Sequence, residues 1–304
     1  MKAKIHYGRL ASHEFSKNRI FHMNSIDLET PICPMCGCTV SIVRYFGKGF
    51  DPYGIRSCTQ CSLSFLSPRP TERAMLSLYQ EDDYFSGEEQ GYVNYAAQEH
   101  ALRATFHRLL MYLAVQKRTG GNLLEVGCGY GYLLDEARPY FMLRVGTDFS
   151  AGAVEQARMR ADQVFKGGIS SVDDQLVFDC IIAAHVIEHV YHPHNFVNEA
   201  IRRLRPGGTL LLAAPDFGSY WRKLMGYRWP SFKLPEHILY FDKRTLPHLL
   251  ALGGLKNIQS VPYPHAFPFG LIASKLGIRL HDIWNKYNLW LPATTVAFLG
   301  RKAS

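Results

Sequence analysis

Three groups of residues in this 304-residue chain have the types and spacings that chemistry requires. The first is a pair of knuckles, Cys33-Pro-Met-Cys36 and Cys58-Thr-Gln-Cys61. Thiolates three positions apart can close on one metal from a tight turn. Two such turns complete a tetrahedral zinc site with no open position, so the expected ion is a structural Zn2+ held by Cys33, Cys36, Cys58 and Cys61. Cys38 lies beside them as a spare thiol. The first 22 residues lack the apolar core of an export signal, which disfavours disulfides and makes a cytoplasmic protein the expectation.

The second group is Glu125-Val126-Gly127-Cys128-Gly129-Tyr130-Gly131, which follows the apolar run from Asn122 and precedes a helical pattern with Leu133, Leu134 and Ala137. Strand, glycine loop and helix in succession bring backbone N–H groups close to a ligand at a helix start. The dinucleotide fingerprint would need glycine at Tyr132, and a phosphate-binding P-loop would need Gly-Lys-Ser/Thr; both are missing. Asp148 then stands at the carboxyl end of the next strand, where a carboxylate can accept both ribose hydroxyls of a nucleoside. Its alternative is to cap the following helix, in competition with Ser150.

The third group is His185-Val186-Ile187-Glu188-His189, with His237 from Pro235-Glu236-His237. A helical turn would put His185, Glu188 and His189 on one face. Imidazoles with a carboxylate suit a divalent ion that polarises a hydroxyl. One imidazole acting as a base, or a purely structural buttress, are the alternatives.

The elements that must position these groups follow from pattern. Segments 41–46 and 54–56 read as the strands of a ribbon between the knuckles. Thr71 reads as the N-cap of a helix from Glu72 to Tyr79, and a further helix spans Ala101 to Val115. Strands at 122–126, 142–147, 164–165, 178–183 and 210–214 alternate with helices, which predicts a doubly wound parallel sheet. Leu239 to Phe241 and a helix from Leu246 to Ala251 are expected to finish the fold, with the sixth and seventh strands at 257–261 and 294–299.

LLEVGCGYG, GTDFS, FDCIIAAHVIEHV and LRPGGTLLLAAP resemble, in order and spacing, the successive motifs of class I S-adenosylmethionine-dependent methyltransferases. The knuckles, Pro68 to Pro70 and Tyr84-Phe85 resemble the N-terminal part of a bacterial subgroup with a four-cysteine zinc-ribbon-like module. The resemblance implies a Rossmann-like, mostly parallel sheet of seven strands and S-adenosyl-L-methionine as cofactor. It implies that Glu125, Gly127 and Gly129 surround the methionine end, with Gly131 completing the loop. Asp148 would bind the ribose, Phe149 would lie beside the adenine, and Gly168-Ile169 would form the other adenine wall. His185 would stand at the sulfonium. Where many relatives carry an acid for the adenine amine, this chain has Gly168 and Ile169, so backbone and packing are expected to recognise the base. The third group resembles the Glu-x-x-Glu-His plus distant His site of metal-dependent O-methyltransferases acting on small RNA 3′ ends and quinone precursors, with His185 in place of the first Glu.

The expected organisation is a basic arm over 1–28, the ribbon module over 29–70, a helical connector over 71–120 and the cofactor-binding domain over 121–304. Within the last, 216–237 would be a lid and 262–292 an aromatic-rich cover. The lid interleaves Phe217, Tyr220, Trp221, Tyr227, Trp229 and Phe232 with Arg222, Lys223, Arg228 and Lys233, which suits a ring-bearing, anionic acceptor. The expected partner is therefore a small molecule, a sugar, lipid precursor or secondary metabolite, and His189, His237 and His185 are the catalytic candidates. The formal charge of +8 and the arm (Lys2, Lys4, Arg9, Lys17 and Arg19 against Glu14) keep RNA as the alternative acceptor. The ribbon argues against it, with Arg44, Lys48 and Arg56 as its basic residues. No apolar run reaches the ~18 residues of a membrane span.

Overall fold

The computed structural model describes residues 27–47, 49–75, 95–275 and 287–304. Most of the expected arm, the Tyr84-Phe85 element and part of the cover lie outside them.

The central sheet has seven strands. In chain order they are β6 (Asn122–Val126), β7 (Leu143–Asp148), β8 (Gln163–Lys166), β9 (Phe178–Ala184), β10 (Leu204–Pro215), β12 (Lys256–Ser260) and β15 (Thr295–Arg301). Their spatial order is β12-β15-β10-β9-β6-β7-β8. Five strands run parallel, from β10 through β8, while β15 is antiparallel to both β10 and β12. This is the expected Rossmann-like sheet. Its central strands read as nearly continuous apolar runs because helices cover both faces. Leu123, Leu124, Cys180, Ile181, Ile182 and Leu211 are all fully buried.

The helices are α1 (Glu99–Val115), α2 (Tyr132–Glu136), α3 (Ala151–Arg158), α4 (Pro193–Arg203), α5 (Tyr220–Met225), α6 (Thr245–Leu252) and α7 (Phe269–Lys275). Ser150 caps α3, accepting from the Ala153 N–H at 3.2 Å, which leaves Asp148 out of that role. Thr71 Oγ1 accepts from Ala74 N at 3.4 Å, as its expected capping position requires. Arg103 of α1 reaches Glu99, Asp135 and Glu136 at 2.7–2.9 Å and so pins α1 against α2.

A second, antiparallel sheet holds the ribbon: β2 (Ser41–Phe46), β3 (Gly54–Cys58), β4 (Ser64–Leu66) and β11 (Leu239–Tyr240), in the order β11-β4-β3-β2. The segment Leu239 to Phe241 joins this second sheet: Leu239 pairs with Phe65 and Tyr240 with Ser64. The apolar run after the lid satisfies its backbone on the open edge of β4, since the last places of the large sheet are taken by β15 and β12. A continuous buried core accordingly joins Cys33, Met35, Ile55 and Phe65 of the ribbon to Ile181, Leu212, Ile238 and Phe241. Within the cover, β13 (His265–Pro268) and β14 (Asn288–Leu291) pair antiparallel. No helix among the described residues is long and apolar enough to cross a membrane.

Candidate functional site

The carboxyl ends of β6 and β7 bring the glycine loop and Asp148 together. Gly127 and Gly129 both adopt positive φ, +70° and +51°. A side chain would find no room at either: a Cβ on Gly127 would lie 2.5 Å from Val186 Cγ2, and one on Gly129 would lie 2.8 Å from the Tyr95 hydroxyl. The loop is thus a cradle that needs glycine for conformation and for clearance. Gly131, at φ +77°, opens α2.

Asp148 ends β7 with its two oxygens held by backbone. Oδ2 accepts from Gly129 N and Oδ1 from Ser150 N, both at 2.9 Å. Burial raises its pKa, opposed by those N–H donors. Glu125, two residues before the loop, is fully enclosed, and its Oε2 has no hydrogen-bond partner among the described residues. Burial, then the charge of Asp148, pushes its pKa well above the usual carboxylate range. An orphaned buried carboxyl beside a glycine cradle is a fit for a ligand with a donor group. The positively charged methionine end and the ribose of S-adenosylmethionine supply such groups. Phe149 and Gly168 lie against one another: a methyl group on Gly168 would be 3.5 Å from the Phe149 ring, and the neighbouring Ile169 is buried.

The histidine group is assembled past the end of β9, beside β10. The helical turn that would put His185, Glu188 and His189 on one face does not form: only Ile187–His189 coil, as a 3-10 turn, and His185 takes φ +59°. Its N–H donates to Ala213 O at 2.8 Å, which continues the β9–β10 ladder one residue further and forces the break. In consequence the three side chains divide. His185 turns to the cover, its ring 6.0 Å from Tyr263 and 5.6 Å from His265, and touches Glu188 with Nδ1 to Oε1 at 3.5 Å. His189 turns to His237, with ring centroids 4.8 Å apart and nearly perpendicular planes.

Glu188, His189 and His237 each offer a ligand atom, and these atoms lie within 4.8 Å of one another. The Nδ1 atoms of His189 and His237 lie 2.9 Å from the carbonyls of Glu236 and Ser231. A ring that donates from Nδ1 to a carbonyl keeps its lone pair on Nε2. Burial pushes the pKa of His189 down and that of His237 well down. Burial would raise Glu188, but His185, His189 and His237 bring it to about 2. Neither Glu188 oxygen has a hydrogen-bond partner among the described residues. A fully buried carboxyl whose one close polar neighbour is His185 Nδ1, at 3.5 Å, calls for a proton or a cation.

The four ribbon cysteines converge as their spacing predicts. Sγ atoms of Cys33 and Cys61 are 3.4 Å apart and those of Cys36 and Cys58 3.5 Å. Zinc–sulfur bonds of about 2.3 Å at tetrahedral angles would set thiolates about 3.8 Å apart, so the donor set fits zinc. Cys38 stays outside the cluster, near Val40 O.

Two contributors escaped sequence reading. Tyr95 covers Gly129 and stacks on Tyr132 at 5.5 Å, and His265 of β13 faces His185. Neither sits in a motif; each reaches the site through packing across the sheet.

A family model described as a methyltransferase domain matches residues 95–260. A probable S-adenosylmethionine-dependent methyltransferase of Mycolicibacterium smegmatis is 29% identical over 113 residues, which are 36% of this chain and 44% of that protein. The ubiquinone biosynthesis O-methyltransferase of Maricaulis maris is 25% identical over 138 residues, 42% of this chain and 54% of that one. The chain thus spans about half the length of these curated relatives. Among solved structures, the complex between the Haloferax volcanii Trm112 methyltransferase activator and a protein described as a methyltransferase contains a chain that superposes with a TM-score of 0.51. It is 17% identical, over 74% of this chain and 99% of that chain. With more than half of its length matched by the domain and the sheet in the expected order, the chain belongs to the methyltransferase-domain family, in its class I, S-adenosylmethionine-dependent form.

Proposed function

We propose that the protein transfers the methyl group of S-adenosylmethionine to a hydroxyl of a small molecule, a sugar, lipid precursor or secondary metabolite. The observation that carries this reading is the junction of the two half-sites. Val186 touches Gly127 of the cofactor loop, and Glu188 and His189 follow it directly. The cofactor supplies an electrophilic methyl group, which needs an acceptor aligned with it in a dry pocket. Asp148 receives the ribose hydroxyls, and Glu125 with the Gly127–Gly129 cradle receives the methionine end. Phe149 and Gly168-Ile169 hold the adenine by packing.

On the acceptor side, the Nε2 lone pairs of His189 and His237 are suited to take the hydroxyl proton. The name of the Maricaulis maris relative, an O-methyltransferase, is consistent with an oxygen acceptor. The unsatisfied Glu188 carboxylate favours a second form of the same chemistry, in which Glu188, His189 and His237 would hold a divalent ion that acidifies that hydroxyl. In the ribbon, Cys33, Cys36, Cys58 and Cys61 would hold a structural zinc. A small molecule is favoured over RNA because the ribbon spends its surface on the lid: Tyr45 packs on Phe217, Tyr227 and Phe232 and accepts from Arg222 at 2.6 Å.

The test is to incubate the protein and S-adenosylmethionine bearing a radiolabelled methyl group with a metabolite extract and, separately, with total RNA. Label is expected in the small-molecule fraction. Label in the RNA would overturn the acceptor class. Full transfer to the small molecule in a chelator that spares the ribbon zinc would leave the histidines as bases without a metal.

A further inference from the structure

A backbone junction at Ile238 links the ribbon to the imidazole cluster. Ile238, fully buried, gives its carbonyl to Leu66 N of β4 and its N–H to Glu188 O, both at 2.9 Å. His237 precedes it, and β11 follows it as the outer strand of the ribbon sheet. β4 itself starts three residues after Cys61, and it pairs with β3, which ends at Cys58. The first knuckle is fixed from the other side, with His194 of α4 2.6 Å from Met35 O between Cys33 and Cys36. Tyr45 of β2 meanwhile inserts into the lid, stacked on Phe50 and edge-on to Tyr227 and Phe232. Asp148, by contrast, takes its hydrogen bonds from Gly129 and Ser150 at the ends of β6 and β7.

We propose that the four-cysteine ribbon is a positioning element for the acceptor half of the site: its metal-held knuckles fix β4, and β4 sets His237 against Glu188 and His189 through Ile238. The proposal rests on the methyltransferase reading for the meaning of the cluster, but it is a statement about this chain's own geometry. A short antiparallel pair of two residues is marginal by itself. Its register must be imposed by the rest of the sheet, and two of the four metal ligands lie at the β3–β4 turn. Loss of the metal should therefore free β11 and His237 while the large sheet, with its own core of Leu123, Cys180, Ile182 and Leu211, keeps the cofactor loop in place.

The experiment uses the full chain in three forms: wild type, Cys61→Ser, and Cys61→His, which keeps a zinc ligand. Zinc content, affinity for S-adenosylmethionine by calorimetry, hydrogen exchange over 231–241, and acylation of His237 by diethyl pyrocarbonate are measured on each. In Cys61→Ser, zinc is lost and both exchange and His237 acylation rise by about tenfold or more, the scale of one lost hydrogen bond with its packing. Cofactor affinity stays within about threefold, a change smaller than the loss of one hydrogen bond. Cys61→His retains zinc and wild-type protection. Should Cys61→Ser fail to fold, chelation of the wild-type chain in the presence of cofactor provides the same readings. His237 remaining protected after zinc is lost would overturn the proposal. So would cofactor affinity falling in step with His237 protection, since the ribbon would then be a general stabiliser, and so would a wild-type chain without zinc. Failure of the wild-type chain to bind cofactor is a different result: it removes the methyltransferase reading, while the His237 data still decide the coupling.

Discussion

The two halves of the site are built in opposite ways. The half proposed for the cofactor is local: Glu125, Gly127, Gly129, Gly131 and Asp148 lie within 24 residues and are set by two adjacent parallel strands and the glycine loop that follows the first. Its working groups are largely backbone, and its buried Asp148 is fixed by two N–H donors, Gly129 and Ser150. The acceptor half gathers Glu188 and His189 from the end of β9, His237 from the lid, His265 from the cover, and depends on a strand pair with the ribbon. Backbone-built sites tolerate side-chain change at a distance, whereas a site assembled from four segments is exposed to any change that moves one of them.

The largest expected effect is on the acceptor side. His237→Ala should lower methyl transfer by about 10²–10⁴-fold, the usual range for loss of a positioned acid or base, with cofactor affinity unchanged. Retained transfer would dissolve the division, because the cluster would then be a structural buttress. The converse variant is Asp148→Ala. It should weaken S-adenosylmethionine by ~1.5–3 kcal/mol in calorimetry, since two hydroxyls lose a charged acceptor. Unchanged affinity, or tighter binding of NAD, would remove the nucleoside role of Asp148.

A pH dependence sharpens the comparison further. Burial, then the nearby His185, holds the pKa of His265 down to about 3. The unfolded imidazole protonates near 6.5, so the folded cover keeps a neutral ring while the unfolded chain gains a proton. The stability tied to this ring is fully present above about pH 6.5 and declines as pH falls toward 3, by at most about 1.4 kcal/mol per pH unit. Urea unfolding at about pH 7.5 and about pH 5.5 should show this decline in wild type and a shallower one in His265→Phe, which preserves the stacking on Phe267. Parallel declines would show that His265 is not held neutral. The smallest effect is expected from Tyr45→Phe, which removes the hydroxyl that accepts from Arg222 and leaves the ring packing. It should cost about 1 kcal/mol of stability and leave cofactor binding untouched. A fall in cofactor affinity would mean that the lid reaches the cofactor half.

By itself the sequence determined the large sheet, the glycine loop and Asp148 at its strand ends, and the convergence of the four ribbon cysteines. These depend on strand periodicity, on glycine spacing and on thiol pairs three positions apart, all within one or two elements. The strand over 122–126 and the ribbon strand over 41–46 coincide with their observed limits for that reason. What only the tertiary structure decided is where Leu239 and Tyr240 go, how His185 parts from Glu188 and His189, and that Tyr95 and His265 line the site. A two-residue strand carries no periodicity that names its partner, and the free edge of β4 is far away in sequence. The turn at His185 follows from its N–H pairing with Ala213, a residue of another strand, which overrides the local helical spacing. Contacts of this kind are set by which backbone groups remain to be satisfied once the sheets have formed, and no single segment of the chain records that.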